Sequence, residues 1–114
     1  MSKVKPMIGG GQIWFCPGCN KPHHVNTTSV VRWDYNGDPD APTFAPSILV
    51  TYDGRDAGHD DAPPAICHSF VRSGRIEFLG DCTHALAGQT VDMPEWPYAP
   101  GQYDGVDDGV MPNA

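Results

Sequence analysis

No stretch of this 114-residue sequence approaches the roughly 20 apolar residues that a membrane-spanning helix needs. The first residues, MSKVKPMIGGG, lack the apolar run of a secretory signal. No contact with a membrane is therefore expected, and the expected setting is cytoplasmic. Basic residues are scarce: seven Lys and Arg stand against 14 Asp and Glu, for a formal charge of −7. They are scattered rather than clustered. A chain of this charge is repelled by a phosphate backbone, so direct nucleic-acid binding is not expected. Basic surfaces of partner proteins are the favoured contact. The sequence holds no internal repeat, and its length allows one domain rather than two.

What is abundant breaks helices. Thirteen glycines and twelve prolines punctuate the chain. Between them lie short runs of aromatic and β-branched residues: QIWFC (12–16), HHVNT (23–27), SVVRWDY (29–35) and SILVTY (47–52). The segment AICHSFVRSGRIEFLGDC (65–82) reads as a hairpin turning at Ser73-Gly74. THALAG (83–88) is expected to form one short helix, started by Asp81 or Thr83 and ended by Gly88. The expected fold is all-β: a small zinc-ribbon-like antiparallel domain over residues 13–92. Residues 1–12 are expected to be a flexible lead. Residues 93–114 form a Pro/Gly/Asp-rich tail, either mobile or strapped down by Trp96, Tyr98 and Tyr103.

Four cysteines, all without a secretory context, point to metal rather than disulfides. The CPGC turn can aim Cys16 and Cys19 at one centre, and zinc wants four ligands of this kind. If Ser73 and Gly74 form a two-residue turn, Arg72 faces Arg75 and Cys67 faces Gly80. Side chains alternate, so Cys82 shares the face of Cys67, Val71, Ile76 and Phe78, which is the buried one. The expected zinc ligands are Cys16, Cys19, Cys67 and Cys82, with His84 and then His24 as substitutes for the fourth. Four thiolates close the site and favour a structural ion, which suits a small glycine-rich domain.

The same register puts His68, Phe70, Arg72, Arg75, Glu77, Leu79 and Asp81 on the other face. A histidine beside a carboxylate can act as a general base, and His68, Asp81 and His84 form a conceivable cluster. Ser69 lies on the wrong face to serve it. A hydrogen-bonded His68–Asp81 pair is the simpler reading. His23 is expected at the surface beside the knuckle, and His59, Asp60 and Asp61 in a solvated acidic loop. A Mg²⁺ or Ca²⁺ site at Asp56, Asp60 and Asp61 has nothing in its spacing to recommend it.

The segments FCPGC…H, PTFAPSILV and CHSFVRSGRIEFLGDCTHALAGQTV together cover most of residues 13–91. On them the chain resembles a family of small uncharacterised proteins common in bacteriophages and prophages. That resemblance implies a phage origin and no particular activity. The positions that match are Cys16, Cys19, His24, Cys67, His68, Asp81, Cys82 and His84. Two functions follow as expectations. The first is a zinc-stapled module binding a host or virion protein, in the host cytoplasm or the virion. The second is a metal-dependent hydrolase with Cys16, Cys19 and Cys67 as ligands, water in the fourth position, and His68, Asp81 or His84 as acid and base.

Overall fold

Alternation is the rule that builds this molecule. A computed structural model of the chain describes residues 2–28, 32–52 and 65–107. Among them are nine strands and no helix. Strands β1 (Val4–Pro6), β2 (Gln12–Cys16) and β3 (Lys21–Val25) form one antiparallel sheet. Its inner face is set by the register Val4↔Trp14 and Trp14↔His23, so Val4, Trp14, Cys16, His23 and Val25 point one way and are buried. Residues 17–20 turn β2 into β3. Asn20 takes a left-handed conformation there, and its N–H donates to the Cys16 carbonyl at 2.8 Å.

The second main sheet has the order β6 (Ile48–Tyr52), β7 (Ala65–Arg72), β8 (Arg75–Phe78), β9 (Thr90–Asp92), all antiparallel. The hairpin register is the one expected, Arg72↔Arg75 through Ser69↔Phe78. Ser73 and Gly74 both have positive φ, as a two-residue hairpin turn of this hand demands. The inner face presents Ile48, Cys67, Ser69, Val71, Ile76 and Phe78. It shares one core with the inner face of the first sheet. A two-stranded pair, β4 (Asp34–Tyr35) and β5 (Phe44–Ala45), adds Phe44 to that core, stacked between Trp14 and Tyr35.

Two expectations need correction. Residues 85–88 are turns, not a helix. The amide of Gly88 bonds the Phe78 carbonyl at 3.0 Å, which ties the segment back to β8 before a helical turn can propagate. The N-terminal segment holds β1, and Val4 is fully buried; pairing with β2 satisfies its backbone. Of the two alternatives for the C-terminal segment, the strapped one holds as far as residue 107. Trp96 N–H donates to the Ser2 carbonyl, Asp107 N–H donates to the Pro6 carbonyl, and Trp96, Tyr98 and Tyr103 pack on one another with Tyr98 reaching Phe15. The acidic loop with Asp56, His59, Asp60 and Asp61, and most of the SVVRWDY start, lie outside the described residues. No helix among the described residues is long and apolar enough to cross a membrane.

Candidate functional site

His68 sits on the outer face of β7, across from Leu49 of β6. Continuing that register one step puts Ser47, just before β6, across from Phe70 and diagonal to His68. The consequence is a three-residue relay. His68 Nε2 lies 3.2 Å from Ser47 Oγ, and His68 Nδ1 lies 3.1 Å from Asp81 Oδ2. Serine, imidazole and carboxylate in this order are the arrangement that makes a hydroxyl nucleophilic. The imidazole takes the hydroxyl proton, and the carboxylate fixes its tautomer and stabilises the cation that forms. Protonation on Nδ1, facing Asp81, leaves Nε2 as the acceptor for the Ser47 hydroxyl. The relay opens to solvent, with the His68 side chain 26% exposed and Asp81 54% exposed.

Each member is held from behind. Trp33 Nε1–H donates to the Ser47 carbonyl at 3.2 Å. The His68 carbonyl accepts the Leu79 amide at 2.9 Å, and Thr83 brackets Ile66 through its amide and its hydroxyl. These bonds run residues 79–83 alongside β7 and lay Asp81 over His68. The Cys82 thiol completes the clasp. Its sulfur accepts the His68 amide and its S–H donates to the His68 carbonyl, both at 3.2 Å.

On the inner face, a step along β7 from His68, Cys67 meets the knuckle. Cys16 Sγ and Cys67 Sγ are 3.8 Å apart. Two sulfurs about 2.3 Å from one tetrahedral ion would be separated by about 3.8 Å. Cys19 N–H donates to Cys16 Sγ at 3.4 Å, the bond that stabilises a thiolate in such a turn. Cys16, Cys19, His23 and Cys67 bring their ligand atoms within 4.8 Å of one another and can hold a metal ion. None of the four cysteines is in a disulfide. His23 is 7% exposed and its Nε2 is buried without a hydrogen-bond partner, which fits a nitrogen available to a metal ion. Contact with the Cys19 sulfur, together with burial, pushes the Cys16 thiol up to about 11, with Cys67 acting in the opposite sense. Contacts with Cys16 and then Cys19, and burial, push the Cys67 thiol up. Three crowded sulfurs cannot all ionise alone; a divalent cation removes the obstacle.

Cys82 and His84 fall in a second group with Cys67 rather than with the knuckle pair. His84 packs edge-on against Phe78, and its imidazole crowds Gly18 so closely that any Cβ there would collide with it. Its Nδ1 accepts the Leu86 amide and its Nε2 is buried without a partner. It does not join His68 and Asp81. His24 is exposed on the outer face of β3 and stands outside both groups. His23, expected at the surface, is the buried one because it shares the face of Trp14.

A family model described as a bacterial ubiquitination-like system serine protease (BubE) matches residues 4–79, more than half of the chain. The chain belongs to the BubE family. The matched span contains Ser47 and His68 and stops short of Asp81. No curated protein and no solved structure matches the chain. In this BubE chain, sequence reasoning paired His68 with Asp81 and found the knuckle, but passed over Ser47. Extending the β6 register across the β6–β7 pair would have found it. The long 53–64 connection hides that register, since no short turn fixes it.

Proposed function

We propose that this protein is a serine peptidase acting on a protein component or conjugate of a ubiquitination-like system. The observation that carries this reading is the His68 imidazole spanning Ser47 and Asp81; the family description supports it. Ser47 Oγ attacks the scissile carbonyl while His68 Nε2 takes its proton. Collapse of the tetrahedral adduct breaks the bond to the leaving group, which carries away that proton, and leaves an acyl ester on Ser47. Water then adds with His68 again as base, the ester bond breaks, and Ser47 recovers its proton. Asp81 accepts the Nδ1–H hydrogen bond throughout. The protein partner expected from the charge is, on this reading, the substrate itself. The resemblance to small phage proteins adds a phage-encoded setting, in the host cytoplasm or the virion.

The metal centre has a separate, structural role in this reading. Cys16, Cys19, Cys67 and His23 would hold zinc, which would supply a cross-link between the two main sheets. Cys82, which contacts the His68 backbone through its sulfur, would on this reading act as a clasp and leave the fourth ligand position to His23. His23 lies with Cys16, Cys19 and Cys67 and would fill the fourth position that zinc-centred hydrolysis leaves to water, so that alternative has less support than the relay.

An alkyl fluorophosphonate tests the relay without knowledge of the substrate. Attack by Ser47 forms an Oγ–P bond and expels fluoride. Intact-mass and peptide mapping should find one adduct, on Ser47, and His68→Ala should slow it by roughly a thousandfold. A wild-type protein that stays unlabelled, or labels elsewhere, overturns the assignment.

A further inference from the structure

We propose that the hollow beside Ser47 is a substrate subsite that receives an apolar side chain and, beyond it, a carboxylate. This rests on the peptidase reading and deepens it. A cavity of about 350 Å³ lies along residues 43–46 and is closed on its other side by Phe70 and Arg72. Pro46 is covalently next to the nucleophile. Phe70 and Arg72 follow His68 on the same face of β7, because alternate residues of a strand share a face. The cavity thus lies beside the relay on the same face of the sheet, where a substrate segment adjoining the bond attacked by Ser47 would lie.

Its chemistry is graded along the strand. Phe70 and Pro46 make the end nearest Ser47 apolar. At the far end the Arg72 guanidinium lies 4.3 Å from the centre of the Phe70 ring. Stacking of this kind leaves the edge N–H groups of a planar guanidinium aimed outward, where they fit a carboxylate. One of them meets Glu77 at 3.4 Å, with the two side chains 61% and 44% exposed. An ion pair so open contributes little, and a ligand carboxylate can displace it. The backbones of Phe70 and Arg72 are about 7 Å apart along the strand, the span of two residues of an extended peptide, and the Arg72 guanidinium folds back to 4.3 Å from the Phe70 ring centre. The ligand is therefore an extended segment with an apolar residue next to the scissile bond and an anionic group within about two residues of it. That group is either an Asp or Glu side chain or a free C-terminal carboxylate. On the opposite side of the relay, Leu49 is 58% exposed and adds apolar surface where the chain continues.

The test is competition against fluorophosphonate labelling of Ser47 in the full-length protein. Four hexapeptides are compared, all with Leu at one position: Glu two residues later with a C-terminal amide, Gln there with an amide, Gln there with a free acid two residues after Leu, and Lys there with an amide. Each rate is taken relative to the same protein without peptide. The Glu or the free-acid peptide should protect Ser47 at roughly tenfold lower concentration than the Gln amide, and the Lys peptide should protect least. The better of the two identifies the source of the carboxylate. Arg72→Glu should invert the Glu-to-Lys order, Arg72→Lys should retain it, and Phe70→Ala should weaken protection by every Leu peptide. Equal protection by all four peptides, or an order unchanged in Arg72→Glu, overturns the subsite. Failure of the uncompeted reagent to label Ser47 instead overturns the peptidase reading on which it rests.

Discussion

Strand β7 separates two kinds of chemistry by a single residue. Inward, Cys67, Ser69 and Val71 are buried, and Cys67 meets the knuckle sulfur of Cys16. Outward, His68, Phe70 and Arg72 face the relay and the hollow beside it. The same alternation recurs after β8, where Asp81 points to His68 and Cys82 tucks in behind it. A soft, sulfur-rich site closed off by the core is suited to a staple. An imidazole between a hydroxyl and a solvated carboxylate, open to a cleft, is suited to a reagent. The pleat keeps them apart although they are neighbours in sequence. A slip of one residue in the β6–β7 or β7–β8 register would exchange them.

The sharpest way to break this contrast is Ser47→Ala. If the outer face is for chemistry alone, labelling and hydrolysis disappear, by roughly a thousandfold or more, while the melting temperature moves by no more than about 1 °C. A large drop in melting temperature would mean that Ser47 is a structural residue. The inner face should behave the opposite way. Cys67→Ser should remove bound metal, measured by elemental analysis of the purified protein, and lower the melting temperature by roughly 10 °C or more. His23→Asn should do the same to a lesser degree. A Cys67→Ser protein that keeps its metal and its stability would dissolve the distinction between the faces.

Much of this contrast was readable from residues alone. The 65–82 hairpin needed only a turn at Ser73-Gly74 and a period of two, so the inward Cys67 and outward His68 followed directly. The knuckle was legible because Cys-x-x-Cys constrains itself locally. The partners that come from distant segments were not. Ser47 reaches His68 across a pairing closed by the long 53–64 connection, and such a connection leaves register to tertiary packing. His23 and His24 are adjacent, and only the pairing Trp14↔His23 decides which is buried. THALAG has helical composition, yet the bonds from Gly88 and Gln89 back into the sheet and turn override it.

Asp81 offers a finer test than Ser47, since its carboxylate is half exposed. Water competes for its hydrogen bond and can partly replace it, so Asp81→Asn should cost less than loss of the serine: about a hundredfold in labelling rate, with metal content and melting temperature unchanged. A cost as large as that of Ser47→Ala would mean that the relay closes over Asp81 when the reagent binds.

The smallest effect expected is also the one that tests the seam between the faces. Cys82 touches no reacting atom; it holds the His68 backbone through paired contacts of its sulfur. If it is a clasp and not a metal ligand, Cys82→Ser, whose hydroxyl can make the same two bonds at shorter range, should keep stoichiometric metal and lower the labelling rate by about tenfold or less. Cys82→Ala cannot make those bonds and should slow labelling further, again with metal retained. Loss of the ion in both variants would move Cys82 into the coordination sphere. Metal and relay histidine would then share one anchor, and the two faces of β7 would no longer act independently.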